Sequence, residues 1–257
     1  MTPPPLVWRR DLAVRVVDVG PDERLRPTAL IDLLQEEAGH QARAFGLETF
    51  RLPARRGAEP GTGTWVLSRL ALQVERWPAA LERLALTTWP SRYSGLRASR
   101  DFALADAGGT RIAAATSEWF VLDLARRRPA RLPRRVLDFG PPPGQPRALA
   151  AGDAPSPPPA VDRSAAFAVR RSDLDRVGHA NNARFAEWAL EAAGDVWDTH
   201  RLAGLDLAFQ REATHGDALV SEVSAPVPTD GGVALAHRIR RGDATLALAR
   251  SRWTERS

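Results

Sequence analysis

The stretch Leu12-Ala13-Val14-Arg15-Val16-Val17-Asp18 returns 155 positions later as Phe167-Ala168-Val169-Arg170-Arg171-Ser172-Asp173. The same offset aligns Glu36, Ala38 and Gly39 with Glu191, Ala193 and Gly194. One block could agree by chance, but two blocks that agree at one offset without a gap indicate an internal duplication. We therefore predict two similar domains within this chain of 257 residues.

A proline-rich segment separates the two copies. Residues 141–159 contain eight prolines among glycine and alanine. Proline fixes φ and lacks a backbone N–H, so this segment suits neither a central strand nor a helix interior. We predict an extended linker over residues 141–160, between an N-terminal domain at 1–140 and a C-terminal domain at 161–257.

Each half has the same predicted order of elements: a strand, a long helix, then an antiparallel meander. In the first half Leu12, Val14 and Val16 alternate as in a strand, and a helix begins near Pro27 and Thr28. In the second half Asn181 or Asn182 caps the helix, and its apolar face comprises Phe185, Trp188, Ala189, Ala192 and Val196. The later strands are predicted at 65–74, 84–89, 95–105 and 111–123, and at 205–212, 219–227, 233–240 and 245–253. A helix wrapped by a curled antiparallel sheet makes each half an α+β domain.

Both predicted helices carry a glycine at the equivalent position, Gly39 and Gly194. A glycine inside a helix costs about 1 kcal/mol relative to alanine. Its recurrence therefore predicts either close packing or a helix bend at this point.

The composition excludes several kinds of chemistry. The chain contains no cysteine and no lysine, which rules out disulfides, thiolate metal sites, a cysteine nucleophile and a Schiff-base lysine. We expect neither a metal nor a cofactor. The net charge of +5 is modest, and no helix concentrates arginines on one face, so we expect no nucleic-acid partner.

The sequence predicts a cytoplasmic protein. No run of about 18 apolar residues is present, so no segment is expected to span a membrane. The N-terminus, Met1-Thr2-Pro3-Pro4-Pro5, lacks the basic and apolar regions of a secretory signal.

The stretch 172–185, Ser-Asp-Leu-Asp-Arg-Val-Gly-His-Ala-Asn-Asn-Ala-Arg-Phe, concentrates polar groups just before the second helix. The N-terminus of a helix offers unpaired N–H groups and a positive dipole end, which could stabilise an oxyanion near Gly178 and Ala180. His179 could move a proton near neutral pH, and Asp175 could orient its imidazole. The first copy has Gly20 and Arg24 at these two positions, so only the second copy carries the candidate catalytic groups.

The motif resembles that of acyl-acyl-carrier-protein thioesterases, as do Thr64-Trp65-Val66-Leu67-Ser68-Arg69 and Leu207-Ala208-Phe209-Gln210-Arg211-Glu212-Ala213. This resemblance implies two tandem hot-dog domains and a catalytic site formed by Asp175, His179 and Glu212. Two departures stand out. Val177 replaces the family's asparagine, and Ala213 replaces the cysteine that follows its glutamate.

The resemblance implies hydrolysis of fatty acyl thioesters carried by an acidic acyl carrier protein on its phosphopantetheine arm. The docking surface would be the arginine cluster Arg126, Arg127, Arg128, Arg131, Arg134 and Arg135, which could instead be a solvated strand end and loop. Leu30, Leu33, Leu34 and Phe45 could line an acyl tunnel or simply form core, and Asn181 and Asn182 could bind substrate or only cap the helix.

Three other interpretations stay open at this point. An acyl-CoA thioesterase could use the same scaffold, and Val177 favours a non-catalytic acyl-binding protein. A hot-dog hydratase is less consistent with the sequence, which lacks the Asp-x-Asn-Pro-x-His spacing of that family. The two halves could satisfy within one chain the pairing that single hot-dog domains achieve as dimers, and the chain could also form a homodimer.

Overall fold

The computed structural model describes residues 5–52 and 61–256. Residues 1–4, on which the expectation about the N-terminus mainly rests, lie outside this part. The described residues form thirteen β-strands and four α-helices, which confirms the α+β class.

The described part of the first half contains seven strands and one long helix. Helix α1 (Pro27–Ala44) begins with a proline in its first turn, as predicted, and helix α2 (Arg134–Leu137) is a single turn. The strands are β1 (Trp8–Ala13), β2 (Thr49–Leu52), β3 (Gly61–Val74), β4 (Arg83–Ser94), β5 (Arg97–Asp106), β6 (Arg111–Asp123) and β7 (Arg128–Ala130).

The second half repeats this order on a smaller scale. Helix α3 (Asn182–Glu191) is capped by Asn181, and helix α4 (Val196–Thr199) follows it. The strands are β8 (Arg163–Ala168), β9 (His200–Phe209), β10 (Ala218–Val223), β11 (Val227–Thr229), β12 (Gly232–Arg241) and β13 (Ala244–Glu255).

The two halves share one continuous sheet. Its main path runs β1-β4-β5-β6-β3-β9-β13-β12-β10-β8. The seam is the antiparallel pair of β3 and β9, in which Ala71 faces Asp206. Arg69 of β3 also binds β9 through its side chain, because its guanidinium donates to both carboxylate oxygens of Asp206 at 2.9 and 2.7 Å.

The linker at 141–160 contains no helix or strand and packs against the sheet. The buried carboxylate of Asp101 accepts hydrogen bonds from Arg147 and from the backbone N–H of Ala148. Farther along, the carbonyls of Gly152 and Asp153 accept from Arg69. The proline-rich segment is therefore held in place across the seam.

Helices α1 and α3 pack against each other and against one face of the sheet. Leu30, Leu34, Phe185 and Trp188 are all buried in the core that this packing creates. Among the described residues, no helix is both long enough and apolar enough to cross a membrane.

Several predicted boundaries were wrong, among them that of the strand predicted at 219–227, which ends at Val223 as β10. Strand β1 ends at Ala13, and Val16 lies in an exposed 3-10 turn that recurs at Arg171–Asp173. Strand β9 ends at Phe209, so Glu212 lies in the following loop. Helix α3 ends at Glu191, because Gly194 adopts a positive φ of 57° that breaks the helix.

The two equivalent glycines have different structural roles. Gly194 breaks its helix, as the bend interpretation predicted. Gly39 lies within α1, where an added Cβ would meet nothing within 4 Å. Close packing therefore does not explain Gly39, whereas at Gly194 an added Cβ would lie only 2.5 Å from Nη1 of Arg163.

Candidate active site

The loop before α3 is folded around the carboxylate of Asp175. Its Oδ1 accepts hydrogen bonds from the backbone N–H groups of Val177 at 2.9 Å and His179 at 3.2 Å. The backbone N–H of Asp175 in turn donates to the carbonyl of His179 at 2.7 Å. Gly178 closes the turn with φ of 86°, a conformation that favours glycine. Asp175 thus fixes the backbone of His179, whereas the sequence predicted a contact with the imidazole ring.

The His179 loop is paired with the loop that carries Glu212. Ala180 donates its N–H to the carbonyl of Ala213 at 2.8 Å, and His179 forms a β-bridge with Thr214. This pairing brings Nδ1 of His179 to 3.4 Å from Oε2 of Glu212. Both side chains are partly exposed, at 38% and 45%, so solvent can reach them.

The N–H groups that were predicted to stabilise an oxyanion are already engaged. Gly178 donates to the carbonyl of Asp175 at 3.1 Å, His179 to the Asp175 side chain, and Ala180 to Ala213. The oxyanion role predicted for Gly178 and Ala180 therefore has no support in this geometry, because each N–H holds the loop itself together.

Glu212 also contacts the first half of the chain. Nη2 of Arg127 lies 2.9 Å from Oε1 of Glu212, the oxygen that does not face His179. The three side chains therefore follow one another in the order Arg127, Glu212, His179, and the group spans the boundary between the two halves.

The first turn of α3 is held from two sides. The side chain of Asn181 caps the helix by accepting from the N–H of Ala183 at 2.8 Å. The side chain of Gln35, from α1, donates to Asn181 at 3.3 Å and accepts from Asn182 at 2.8 Å. Nearby, burial raises the pKa of Asp32. The guanidinium of Arg184, 3.5 Å from the Asp32 carboxylate, acts in the opposite direction and lowers this pKa.

The two departures from the family pattern have different surroundings. Val177 is 61% exposed at the tip of the loop, whereas Ala213 is fully buried. The position after the glutamate is therefore part of the core, and the position that replaces asparagine faces solvent.

Models of the acyl-ACP thioesterase N-terminal and C-terminal domains match residues 5–139 and 158–255 respectively. The chain belongs to the acyl-ACP thioesterase family. The two matches cover both halves of the shared sheet, and the segment between them, residues 140–157, overlaps the proline-rich segment at 141–159.

Curated relatives of this family member include two plant enzymes. A chloroplastic dodecanoyl-[acyl-carrier-protein] hydrolase of Cinnamomum camphora is 25% identical over 96% of the chain and 68% of the relative. A chloroplastic oleoyl-acyl carrier protein thioesterase of Coriandrum sativum is 27% identical over 89% of the chain and 65% of the relative. The chain thus spans about two thirds of the length of these relatives.

Solved structures share the tandem hot-dog fold. The 12:0-ACP thioesterase from Umbellularia californica superposes with a TM-score of 0.83 at 22% identity, covering 98% of this chain and 95% of that one. An acyl-ACP thioesterase from Bacteroides thetaiotaomicron gives a TM-score of 0.79 at 21% identity, covering 96% and 97%. These comparisons confirm the predicted fold.

The four residues predicted to line the acyl tunnel fall into two groups. Leu30 and Leu34 are buried between α1 and the sheet, with Leu33 packed partly exposed beside them. Phe45 belongs to a separate cluster and lies against Phe139. The apolar gap that borders Leu30 and Leu34 has a cavity volume of about 0 Å³, far below the ~300–1,000 Å³ of common ligand sites.

Four of the six arginines predicted to dock a carrier make contacts within the chain. These four are Arg126 with Asp123, Arg127 with Glu212, Arg134 with Asp138, and Arg135 with the carbonyl of Phe45. Arg128 and Arg131 make no ion pair among residues 5–52 and 61–256. Arg131 borders an open pocket together with Leu96, Leu132 and Leu137.

Two residues of the site were missed by sequence reasoning. The contact of Arg127 with Glu212 has no local signal, because the two residues are 85 positions apart. Gln35 did leave a signal, since the repeat offset aligns it with the buried Leu190. A polar residue in one copy where the other copy has an apolar one points to a contact that only one half makes.

Proposed function

We propose that the chain hydrolyses fatty acyl thioesters of acyl carrier protein and releases free fatty acid. The observation that carries this proposal is the match of both halves to the acyl-ACP thioesterase family, in a chain that brings His179 and Glu212 within 3.4 Å. Their partial exposure leaves room for a thioester and a water molecule beside them.

In the proposed mechanism Glu212 is the general base. A water molecule beside Glu212 gives up a proton to the carboxylate as its oxygen attacks the carbonyl carbon of the thioester. The C–S bond then breaks, and the sulfur leaves readily because thiols have a pKa of about 8.5. Glu212 passes its new proton to Nδ1 of His179, 3.4 Å away, and the other ring nitrogen of His179 gives a proton to the sulfur. The products are a carboxylic acid and a free thiol, and both side chains return to their starting states.

The carbonyl oxygen requires a hydrogen-bond donor as it gains negative charge. The backbone N–H of Asn182 is our candidate. It lies at the first position of α3, at the positive end of the helix dipole, and donates no hydrogen bond within the part of the chain that the structure describes. Asp175 contributes by holding the His179 loop in shape.

The acyl chain would enter the first half between α1 and the sheet. Leu30 and Leu34 would line its path, and the apolar space beside them would have to widen to admit it. The exposed arginines Arg128 and Arg131 would attract the acidic carrier. A cytoplasmic location and a homodimer stay predictions.

Release of free thiol from a panel of acyl carrier protein and CoA thioesters tests this function. We expect turnover that favours the carrier protein and falls at least about 100-fold in His179→Ala and in Glu212→Gln. His40→Ala and Glu75→Gln are matched controls, because these side chains are 41% and 44% exposed and lie away from the site.

Other results would redirect the proposal. Equal or better turnover of CoA thioesters would identify an acyl-CoA thioesterase. Tight acyl binding by a folded protein without turnover would favour an acyl-binding role, for which the exposed Val177 is the motivating feature. Full activity in both His179→Ala and Glu212→Gln would refute the catalytic assignment.

A further inference from the structure

Arg127 occupies a turn whose shape is set by its neighbours. The buried carboxylate of Asp123 accepts from the backbone N–H groups of Ala125 at 3.1 Å and Arg126 at 3.0 Å. Leu124 donates to the carbonyl of Thr62 on β3 at 3.0 Å. These bonds fix the turn between β6 and β7 independently of the side chain of Arg127.

The backbone of Arg127 is strained. Its φ of 50° lies in the left-handed region, which non-glycine residues rarely adopt. Strain of this kind persists where the surrounding structure enforces it, and it is often found at functional sites. Here it accompanies a side chain that reaches across to the second half of the chain.

The contact that results does little for stability. The side chains of Arg127 and Glu212 are 70% and 45% exposed, and exposed ion pairs of this kind contribute little to folding. The contact does fix Oε1 of Glu212, so that Oε2 faces His179. Since a small displacement of a catalytic group lowers the rate strongly, orientation of this carboxylate explains the contact better than stability does.

We propose that Arg127 is a positioning residue, supplied by the first half of the chain to orient the catalytic carboxylate Glu212 of the second half. This inference rests on the proposed thioesterase function. It also separates Arg127 from its neighbours Arg128 and Arg131, whose contribution would be attraction of the carrier. The first half lacks the Asp175 and His179 equivalents, yet it would complete the site of the second half.

Steady-state kinetics of Arg127→Ala on an acyl carrier protein thioester and on the matching CoA thioester tests this assignment. Alanine keeps the Cβ and therefore the strain of the turn. We expect kcat to fall about 10- to 100-fold on both carriers with KM nearly unchanged, whereas loss of docking would raise KM for the carrier protein alone. Arg127→Lys should recover most of kcat.

Two further measurements exclude a merely structural effect. The melting temperature of Arg127→Ala should stay within about 2 °C of the wild type, as expected for loss of an exposed pair. In a Glu212→Gln background, Arg127→Ala should lower kcat no further, because the residue acts through Glu212. Arg111→Ala is the matched control, since it breaks an ion pair of similar exposure with Glu75 at the other end of β6.

The possible failures are distinguishable. If Arg127→Ala keeps kcat on both carriers, or only raises KM for the carrier protein, the positioning role is overturned while the thioesterase function stands. If the wild type cleaves no thioester and Glu212→Gln behaves identically, the proposed function fails, and the inference fails with it.

Discussion

The side-chain amide of Asn182 donates to Oε1 of Gln35 at 2.8 Å, and Nε2 of Gln35 donates in return to Asn181 at 3.3 Å. Helix α1 of the first half therefore holds the first turn of helix α3, where the proposed oxyanion donor lies. Together with the contact of Arg127 with Glu212, this pairing connects both sides of the candidate site to the first half of the chain.

Replacement of Gln35 should weaken this attachment. We expect Gln35→Ala to lower the free energy of unfolding by about 1–2 kcal/mol, because two partly buried amides lose a partner. It should also lower kcat severalfold, since the first turn of α3 is less well fixed. Urea unfolding and thiol-release kinetics measure the two effects. The adjacent, exposed Glu36→Ala should change the free energy of unfolding by less than about 0.5 kcal/mol, and an equal loss in both variants would refute the specific role of Gln35.

Because His237 is buried, we expect the free energy of unfolding to decrease in acid. Its Nε2 lies 2.7 Å from the Ser251 hydroxyl, and burial lowers the pKa of His237 from its ordinary 6.5 to about 4. Below pH 6.5 the unfolded chain binds a proton that the folded chain excludes, so the free energy of unfolding falls as the pH drops towards 4. Between pH 7.5 and pH 5 we expect a loss of about 2 kcal/mol from this group.

Urea unfolding of the wild type and of His237→Gln at these two pH values isolates the contribution of His237 to the free energy of unfolding, because glutamine does not titrate. We expect the variant to be less stable at pH 7.5 but to lose less on acidification. A pH dependence that is identical in the two proteins would show that His237 does not titrate differently in the folded and unfolded states.

The seam between the halves should depend on Arg69. This side chain pairs with both oxygens of Asp206 and also binds the linker carbonyls of Gly152 and Asp153, with only 17% of it exposed. We expect Arg69→Ala to lower the free energy of unfolding by about 1–3 kcal/mol. In the Arg69→Ala background, Asp206→Ala should lower the free energy of unfolding by less than it does in the wild type, since the two residues share one interaction.

The exposed pair of Arg9 and Asp11 provides the comparison for Arg69. Its side chains are 65% and 71% exposed, so Arg9→Ala should shift the free energy of unfolding by no more than about 0.5 kcal/mol. Destabilisation of similar size in Arg69→Ala and Arg9→Ala would argue against a special role for the seam.

Charge reversal at Arg128 and Arg131 tests the docking surface. We expect the double variant Arg128→Glu/Arg131→Glu to raise KM severalfold for acyl carrier protein thioesters at low salt, with the difference shrinking as ionic strength rises. Saturating kcat should change little, because neither side chain contacts Glu212 or His179. An equal rise in KM for a small pantetheine thioester, which carries no acidic protein, would exclude electrostatic docking.

Local sequence patterns predicted the elements that depend on local geometry. The proline at the first turn of α1 and a cap at Asn181 or Asn182 were recognisable, because the first removes and the second satisfies a backbone N–H that has no partner inside the helix. The ends of β1, β9 and α3 were less predictable. Each of them stops where pairing with another strand stops or where a single glycine reverses the backbone.

The sequence by itself determined the duplication, the α+β class and the loop that presents His179, since repeats, periodicity and a glycine turn are properties of short stretches. Only the tertiary structure decided that β3 and β9 join the halves into one sheet and that Arg127 meets Glu212 across 85 positions. Such contacts follow from how two folded surfaces meet, and no local pattern encodes that meeting. The structure also decided a local choice, because the carboxylate of Asp175 accepts from the backbone N–H groups of Val177 and His179 rather than contacting the imidazole, and both arrangements suit the same short stretch of sequence.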